Sequence, residues 1–237
     1  MALAFLFDKK SQRYRYKDSG KFVGQDAIAS LTQKHIDQVS SDATKIIDLL
    51  INKKISVSTW ESTTAQAIKE MSIAQYILGK GGIARMGQSD YGAIGHLLKM
   101  QYKYLRGFSE DLIAGNLSES QARSRLQQYI NDGRTLYEAG RHEAHADDGF
   151  TREKRVRTKT DSCNECIDYA SQGWCDIGTL PAIGSDCSCT SNCGCKWEFS
   201  KSDQTDSILT QNYGWLKPRS LLPHTLNYGY SHPRTNR

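Results

Sequence analysis

Residues 163–195 read CNECIDYASQGWCDIGTLPAIGSDCSCTSNCGC and contain all seven cysteines of the 237-residue chain. The segment opens with a C-x-x-C pair at 163–166 and closes on two C-x-C pairs, at 187–189 and 193–195. Disulfide-forming cysteines are typically spread along a chain, whereas cysteines grouped at these spacings are typical of ligands for a soft or borderline metal ion. The sequence therefore predicts a small metal-stabilised module in this segment.

A tetrahedral thiolate site needs four ligands, and the C-x-x-C pair supplies two of them. The others come from the four cysteines that follow residue 186, with Gly194 permitting a turn between the last two. The predicted metal ligands are Cys163, Cys166, Cys187, Cys189, Cys193 and Cys195. We expect Cys175, which follows Trp174, to be a buried small hydrophobic residue instead. A structural zinc is the expected metal and an iron–sulfur cluster the second choice, with one zinc or two completed by histidine both open.

Two alternatives to a structural metal are disulfide bonds and a catalytic zinc. The apolar start MALAFLF is followed by Asp8, Lys9 and Lys10, which reverses the order of a signal peptide and predicts a cytosolic start with reduced thiols. Disulfides formed in an exported particle are the alternative. A catalytic zinc is disfavoured because His142 and His145 are three residues apart, and the metalloprotease motif H-E-x-x-H needs four.

The part of the chain before the cysteines has helical periodicity. Apolar residues recur at helical spacing over 28–39, 43–51, 65–73, 97–112 and 126–137. An S-x-x-E box at Ser58 and an S-x-x-Q box at Ser118 predict the starts of two helices. Glycines at 79–82 predict a break between helices.

The predicted fold class is mainly α: a helical N-terminal domain, a small Cys-rich module with short strands, and an extended C-terminal arm. The predicted boundaries are an arm at 1–21, a helical domain at 22–150, the Cys-rich module at 151–199 with a strand near 196–199, and an arm at 200–237 that is rich in proline and aromatic residues. The hydrophobic content is 38% and no apolar run approaches the about 20 residues that a membrane span needs.

The net charge of +5 is mild and permits contact with nucleic acid without requiring it. A basic run leads into the cysteines, and its candidate nucleic-acid contacts are Arg152, Lys154, Arg155, Arg157 and Lys159. Beside a zinc module such a run resembles a phosphate-contacting stripe. A solvated linker is the more common role of a charge run.

Three stretches together resemble one protein family. Residues 13–23 carry Arg-Tyr-Arg-Tyr followed by Gly-Lys-Phe-Val, a phrase found in phage-encoded proteins near portal and capsid genes. Residues 101–108, with 117–118 and 134–141, are similar to the helical part of minor head proteins. The cysteine pattern of 163–195, with its Gly-Trp and Thr-Leu-Pro segments, resembles their C-terminal signature. The chain thus resembles the tailed-phage minor head or head morphogenesis proteins, the Mu-F-like family.

The resemblance implies a non-enzymatic bacteriophage virion protein, a minor head or neck component at the portal or inner capsid that assists head assembly in the host cytoplasm. It implies several copies in a symmetric assembly, no membrane, and the portal, major capsid or connector proteins as partners, with packaged DNA as a further partner. Relatives of the Mu type often carry a histidine before the final C-x-C. This chain has Asn192 there, so no ligand role carries over to that residue. A DNA-binding or DNA-processing protein with a zinc module is the alternative.

Overall fold

The structure, a computed structural model, describes residues 5–201. Contacts divide the chain into two compact units. The helical unit is Met1–Ala144 with Ser191–Cys193, and the cysteine-rich unit is His145–Thr190 with Gly194–Arg237. Apart from its first two residues, the arm predicted at 200–237 lies outside the described residues.

The fold is mainly helical, as the sequence predicts. The described helices are α1 (Gln25–Ile51), α2 (Val57–Lys80), α3 (Gln88–Ile113), α4 (Glu119–Asp147) and α5 (Asn164–Ser171). The described strands are β1 (Phe5–Asp8), β2 (Arg13–Tyr16), β3 (Arg152–Val156), β4 (Cys175–Asp176) and β5 (Lys196–Ser200). No helix within residues 5–201 has both the length and the apolar composition that a membrane crossing requires.

The helix ends follow local capping chemistry, with one correction to the sequence analysis. At the start of α4, the Ser118 backbone N–H donates to Gln121 and the Gln121 N–H donates to Ser118 Oγ, which confirms the predicted box. The box predicted at Ser58 is wrong, because Ser56 is the cap of α2 and its Oγ accepts from the Thr59 N–H at 3.1 Å. The predicted glycine break is confirmed: α2 ends at Gly81, whose φ of +96° suits glycine.

Helix α1 is longer and the N-terminal segment more ordered than the sequence analysis predicts. The stretches 28–39 and 43–51 form one continuous helix, because Ser40, Ser41 and Asp42 between them continue the helical turn. Residues 5–16, predicted as an arm, form the β1–β2 hairpin with Phe5 opposite Tyr16 and Phe7 opposite Tyr14. Aromatic rings on one face of this hairpin pack into an apolar cluster with α1 and α2, and this cluster supplies the burial that holds the hairpin.

The core of the helical unit contains aromatic side chains from three helices. Trp60 of α2 and Phe108 of α3 are fully buried, with ring centroids 4.9 Å apart in an edge-to-face arrangement. The Tyr129 ring of α4 lies parallel to Phe108 with a centroid separation of 6.2 Å. Such pairs contribute about 0.5–1.5 kcal/mol beyond their buried area. Phe108 and Tyr129 lie in stretches with predicted helical periodicity, whereas Trp60 lies ahead of the predicted stretch 65–73.

Two glycines let α2 and α4 approach closely. A Cβ atom added at Gly140 would lie 2.3 Å from the Tyr76 carbonyl oxygen, and one added at Gly79 would lie 2.1 Å from the Tyr137 carbonyl oxygen. Both glycines are buried. The backbones therefore occupy the space that any larger residue would need.

A buried ion pair joins α2 to α3 next to this crossing. Lys80 Nζ lies 2.8 Å from Asp90 Oδ1, and the two side chains are only 2% and 4% exposed. The Tyr76 hydroxyl donates to Asp90 Oδ1 at 2.8 Å, and the Gly87 backbone N–H donates to Oδ2 at 2.8 Å. Both carboxylate oxygens thus have donors, as a buried charge requires. These hydrogen bonds and Lys80 outweigh the effect of burial and lower the pKa of Asp90 below its ordinary value.

The cysteine-rich unit is built on a three-stranded antiparallel sheet in the order β4-β3-β5. Its central strand is the first part of the basic run, so the stretch that the sequence favours as a linker is a strand. Strand β5 confirms the short strand predicted near 196–199. In β3, Glu153 and Arg155 point to the buried face, and Glu153 Oε1 accepts from the Leu180 N–H at 2.9 Å.

Candidate metal centre

Helix α5 presents the first two sulfur ligands. Cys163 is the N-cap residue of this helix and Cys166 lies in its first turn, three residues later. Residues three apart lie on the same helical face, so the C-x-x-C spacing brings both side chains to one side of the helix start. The positive end of the helix dipole at this point favours thiolates.

The second pair comes from the segment 187–189. Cys189 Sγ lies 3.3 Å from Cys163 Sγ, 3.6 Å from Cys166 Sγ and 3.5 Å from Cys187 Sγ. All four sulfur atoms lie within 4.8 Å of one another. Cys166 and Cys187 are buried, and Cys163 and Cys189 are partly exposed. The structure therefore brings together four of the six predicted ligands as one group that can hold a metal ion.

The spacing of the four sulfurs fits a tetrahedral thiolate site. Zinc–sulfur bonds of about 2.3 Å place tetrahedral sulfurs about 3.8 Å apart. The three separations from Cys189 Sγ are within half an ångström of that value. None of the seven cysteines, all of which lie within residues 5–201, forms a disulfide in this structure. The group can close around an ion with small side-chain adjustments.

Electrostatics at the helix start favour the metal-binding form of Cys163. Partial burial acts to raise the pKa of this thiol, but the backbone amide of Cys166 and the side chain and amide of Cys189 outweigh it. The pKa of Cys163 is therefore lowered, which increases the thiolate fraction at neutral pH. The thiolate is the form that binds a metal ion.

Glu165 connects the two halves of the site, and the sequence analysis missed this residue. Its Oε1 accepts from Ser188 Oγ at 2.5 Å and its Oε2 from the Ser188 N–H at 3.5 Å. These bonds, the Ser188 hydroxyl first, lower the pKa of Glu165 to about 2. Because Ser188 lies between Cys187 and Cys189, this carboxylate holds the C-x-C segment against α5. The available signal was an acidic residue inside C-x-x-C together with a serine inside C-x-C.

The remaining two predicted ligands belong to a second sulfur group. The Sγ atoms of Cys166, Cys193 and Cys195 lie within 4.8 Å of one another and all three residues are buried. These three thiolates alone are one ligand short of a tetrahedral site.

Gly194 does not use the conformational freedom that is specific to glycine. Its φ is not positive, so the backbone conformation does not require glycine. A Cβ atom at this position would instead lie 2.7 Å from the Lys159 side chain. The Thr158 hydroxyl donates to the Gly194 carbonyl. A larger residue at this position would therefore displace the flexible Lys159 side chain.

Cys175 is in neither sulfur group, as predicted for a residue that is not a ligand. The prediction that it is buried is wrong, because it is partly exposed. Its position on the two-residue strand β4, at the edge of the sheet, explains the exposure.

Three cations of the basic run make contacts within the cysteine-rich unit. Arg155 is buried, with its guanidinium 4.8 Å from the Tyr169 ring centroid and 4.9 Å from that of Trp197. Lys154 Nζ lies 2.9 Å from Glu198 Oε2, and Arg152 donates to the Trp174 carbonyl at 2.5 Å. Arg157 and Lys159 remain exposed.

The two histidines considered as further ligands lie outside both sulfur groups. The His145 ring stacks on Phe199 with a centroid separation of 4.1 Å. His142 Nδ1 lies 3.7 Å from Glu143 Oε1. Within the described residues, the sulfur groups are therefore formed by cysteines alone.

Comparison of the chain with protein-family models, with curated proteins and with solved structures gives no match. The site is therefore interpreted from its own geometry.

Proposed function

We propose that the chain is a non-enzymatic structural protein whose cysteine-rich unit is held together by zinc. The observation that carries this proposal is the group of four sulfurs formed by Cys163, Cys166, Cys187 and Cys189. Four thiolates in tetrahedral spacing favour zinc over harder cations, which prefer oxygen ligands. A site filled by four protein ligands has no open position for a substrate or an activated water.

Zinc has a clear structural task in this unit. Strands β3, β4 and β5 contain twelve residues in total, and the two segments that carry the sulfurs are separated by residues 167–186. Binding of a structural zinc releases about 10–16 kcal/mol in small zinc modules. That energy offsets the loss of conformational entropy when residues 163–189 close into a loop.

The setting we propose for this protein is the tailed-phage virion, as a minor head or neck component that assists head assembly. The resemblance of 13–23, 101–108 and 163–195 supports this setting, and four long helices suit a protein that packs among neighbours. The alternative, a zinc module that grips DNA through the basic run, has less support. Arg155 is buried, and four thiolates around one Zn²⁺ carry a net charge of about −2, which repels phosphates.

Metal analysis and variants test the site. We expect the purified chain to hold at least one zinc, and Cys189→Ser to lose it together with protease resistance of the cysteine-rich unit. Cys175→Ser is the matched control, because Cys175 is in neither sulfur group. Retention of zinc by both variants, or its absence from the purified protein, would refute the four-sulfur site.

The virion setting has its own test. Phage particles made by cells that carry this gene are purified on a density gradient and their proteins identified by mass spectrometry. We expect the chain to remain with the particles after a high-salt wash. Its recovery only in the soluble lysate would refute the virion role without affecting the zinc site.

A further inference from the structure

The hairpin near the start of the chain and the residues that follow it are strongly basic. Residues 5–24 contain six lysines and arginines against two aspartates, a net charge of +4 in a chain whose total is +5. Five of the six cations are exposed: Lys9, Lys10, Arg13, Lys17 and Lys21. The basic run at 152–159 has the same excess, five cations against Glu153, but Arg155 is buried and Lys154 is paired with Glu198.

The two faces of the hairpin differ in chemistry. Alternation along β2 places Tyr14 and Tyr16 in the apolar cluster and places Arg13 and Arg15 on the opposite face. Leu6, which pairs with Arg15, is 57% exposed on that opposite face. We call Leu6, Arg13, Arg15 and Phe22, together with the exposed Lys10, Lys17 and Lys21 of the adjoining turns and loop, the basic face.

The arginines of the basic face are held in position by Phe22. The Arg15 guanidinium carbon lies 3.7 Å from the centroid of the Phe22 ring, and that of Arg13 lies 4.5 Å from it. Arg15 also donates to Asp8 at 2.9 Å and to the Gly20 carbonyl at 3.0 Å. Guanidinium groups stacked in this way lose less conformational entropy when they bind an anion.

Charge complementarity indicates the kind of partner. A surface with this excess of cations fits a polyanion. The chain's own residues 202–237 contain four lysines and arginines and only two aspartates, so by charge this segment is not the complementary partner. The partner is therefore expected to be another molecule.

We propose that the basic face binds the sugar–phosphate backbone of duplex DNA. A two-stranded antiparallel ribbon fits the major groove of B-DNA, and exposed lysines and arginines along it contact phosphates. Single strands are usually bound by aromatic rings that stack on bases. Phe22, the exposed ring of the basic face, already has two guanidinium groups against it, which favours a duplex. The proposal is independent of the zinc site.

The test compares two triple variants with the same change in charge. Lys10→Gln/Lys17→Gln/Lys21→Gln removes three cations from the basic face. Lys34→Gln/Lys69→Gln/Lys103→Gln removes three equally exposed cations from α1, α2 and α3. Fluorescence anisotropy measures binding to a short labelled duplex, and to the same sequence as a single strand, in KCl between about 50 and 200 mM.

For the native chain, three to five phosphate contacts give a slope of log K against log[KCl] of about −3 to −4.5. We expect the basic-face variant to reduce the size of that slope by about 2 to 3 and to weaken binding at least about tenfold at 100 mM KCl. The helix variant should bind like the native chain, and circular dichroism and zinc content should be unchanged in both. Equal weakening by both variants, no binding at 50 mM KCl, or tighter binding of the single strand than of the duplex would each overturn the proposal.

Discussion

Substitution of Gly140 by alanine tests the close crossing of α2 and α4. The new Cβ would lie 2.3 Å from the Tyr76 carbonyl oxygen and 3.0 Å from the Lys80 backbone nitrogen. Both atoms belong to the backbone of α2, so no side chain can rotate away to relieve the contact. The two helices must therefore move apart by close to 1 Å.

The expected change in unfolding free energy has two opposing parts. Overpacking a close-packed site costs about 1–3 kcal/mol, and a contact this short with main-chain atoms belongs at or above the upper end. Alanine regains about 1 kcal/mol over glycine in a helix interior. The net expectation is a loss of about 2 kcal/mol, which lowers the Tm by about 4–8 °C in a protein of this size.

Thermal unfolding followed by circular dichroism at the helical band measures the effect, with Gly95→Ala as the control. Gly95 lies on an exposed position of α3, and a Cβ there would meet no atom within 4 Å. This control should raise the stability by up to about 1 kcal/mol. A Gly140→Ala protein as stable as the native chain, or a rise of Tm in both variants, would show that α2 and α4 are not in backbone contact.

Three further predictions concern buried and hydrogen-bonded charges. Lys80→Met leaves the buried Asp90 carboxylate without its cation, and urea unfolding should show a loss of about 3–5 kcal/mol in the stability of the helical unit. A loss below about 1 kcal/mol would mean that the ion pair is not buried. Folding lowers the pKa of Asp90, so the stabilising contribution of this carboxylate is present above about pH 4 and is lost as the pH falls further. Between pH 6 and pH 3, the Tm of the native chain should therefore fall more steeply than the Tm of Asp90→Asn. Ser188→Ala removes the hydroxyl that donates to Glu165 and should weaken zinc binding about 10- to 100-fold in a chelator competition. Ser171→Ala is the control and should leave zinc binding unchanged, because the Ser171 hydroxyl donates to the Asp168 carbonyl within its own helix.

The sequence predicts the helices well because their apolar faces repeat at helical spacing. It fails at the start of α2, where Ser58 heads the S-x-x-E pattern but Ser56, two residues earlier, is the cap. It also misses the hairpin of residues 5–16, which depends on apolar contacts with α1 and α2 from far along the chain. Local patterns carry no information on such distant contacts.

At the candidate site, the cysteine spacing identifies the ligands but not how they are grouped. The structure places 163, 166, 187 and 189 together and leaves 193 and 195 to a second group with Cys166. The buried role of Arg155 could not be predicted either, because a charge run gives no sign of which member faces inward. Strand alternation in β3 decides that, with Arg155 and Glu153 on the same face.

The pairing of β3 with β5 sets an order of events during protein synthesis. Val156 pairs with Lys196, so at the usual rate of translation β3 is synthesised about 2 to 8 s before its partner strand. Helices α1 to α4 precede this interval and can fold first. Within it, Cys163 and Cys166 are synthesised about 1 to 5 s before Cys187 and Cys189, so the four-sulfur group is complete only near the end of the interval. For the zinc site proposed above, capture of the ion by all four sulfurs is therefore a late step of biogenesis, and the yield of folded protein should depend on the zinc supply of the cell.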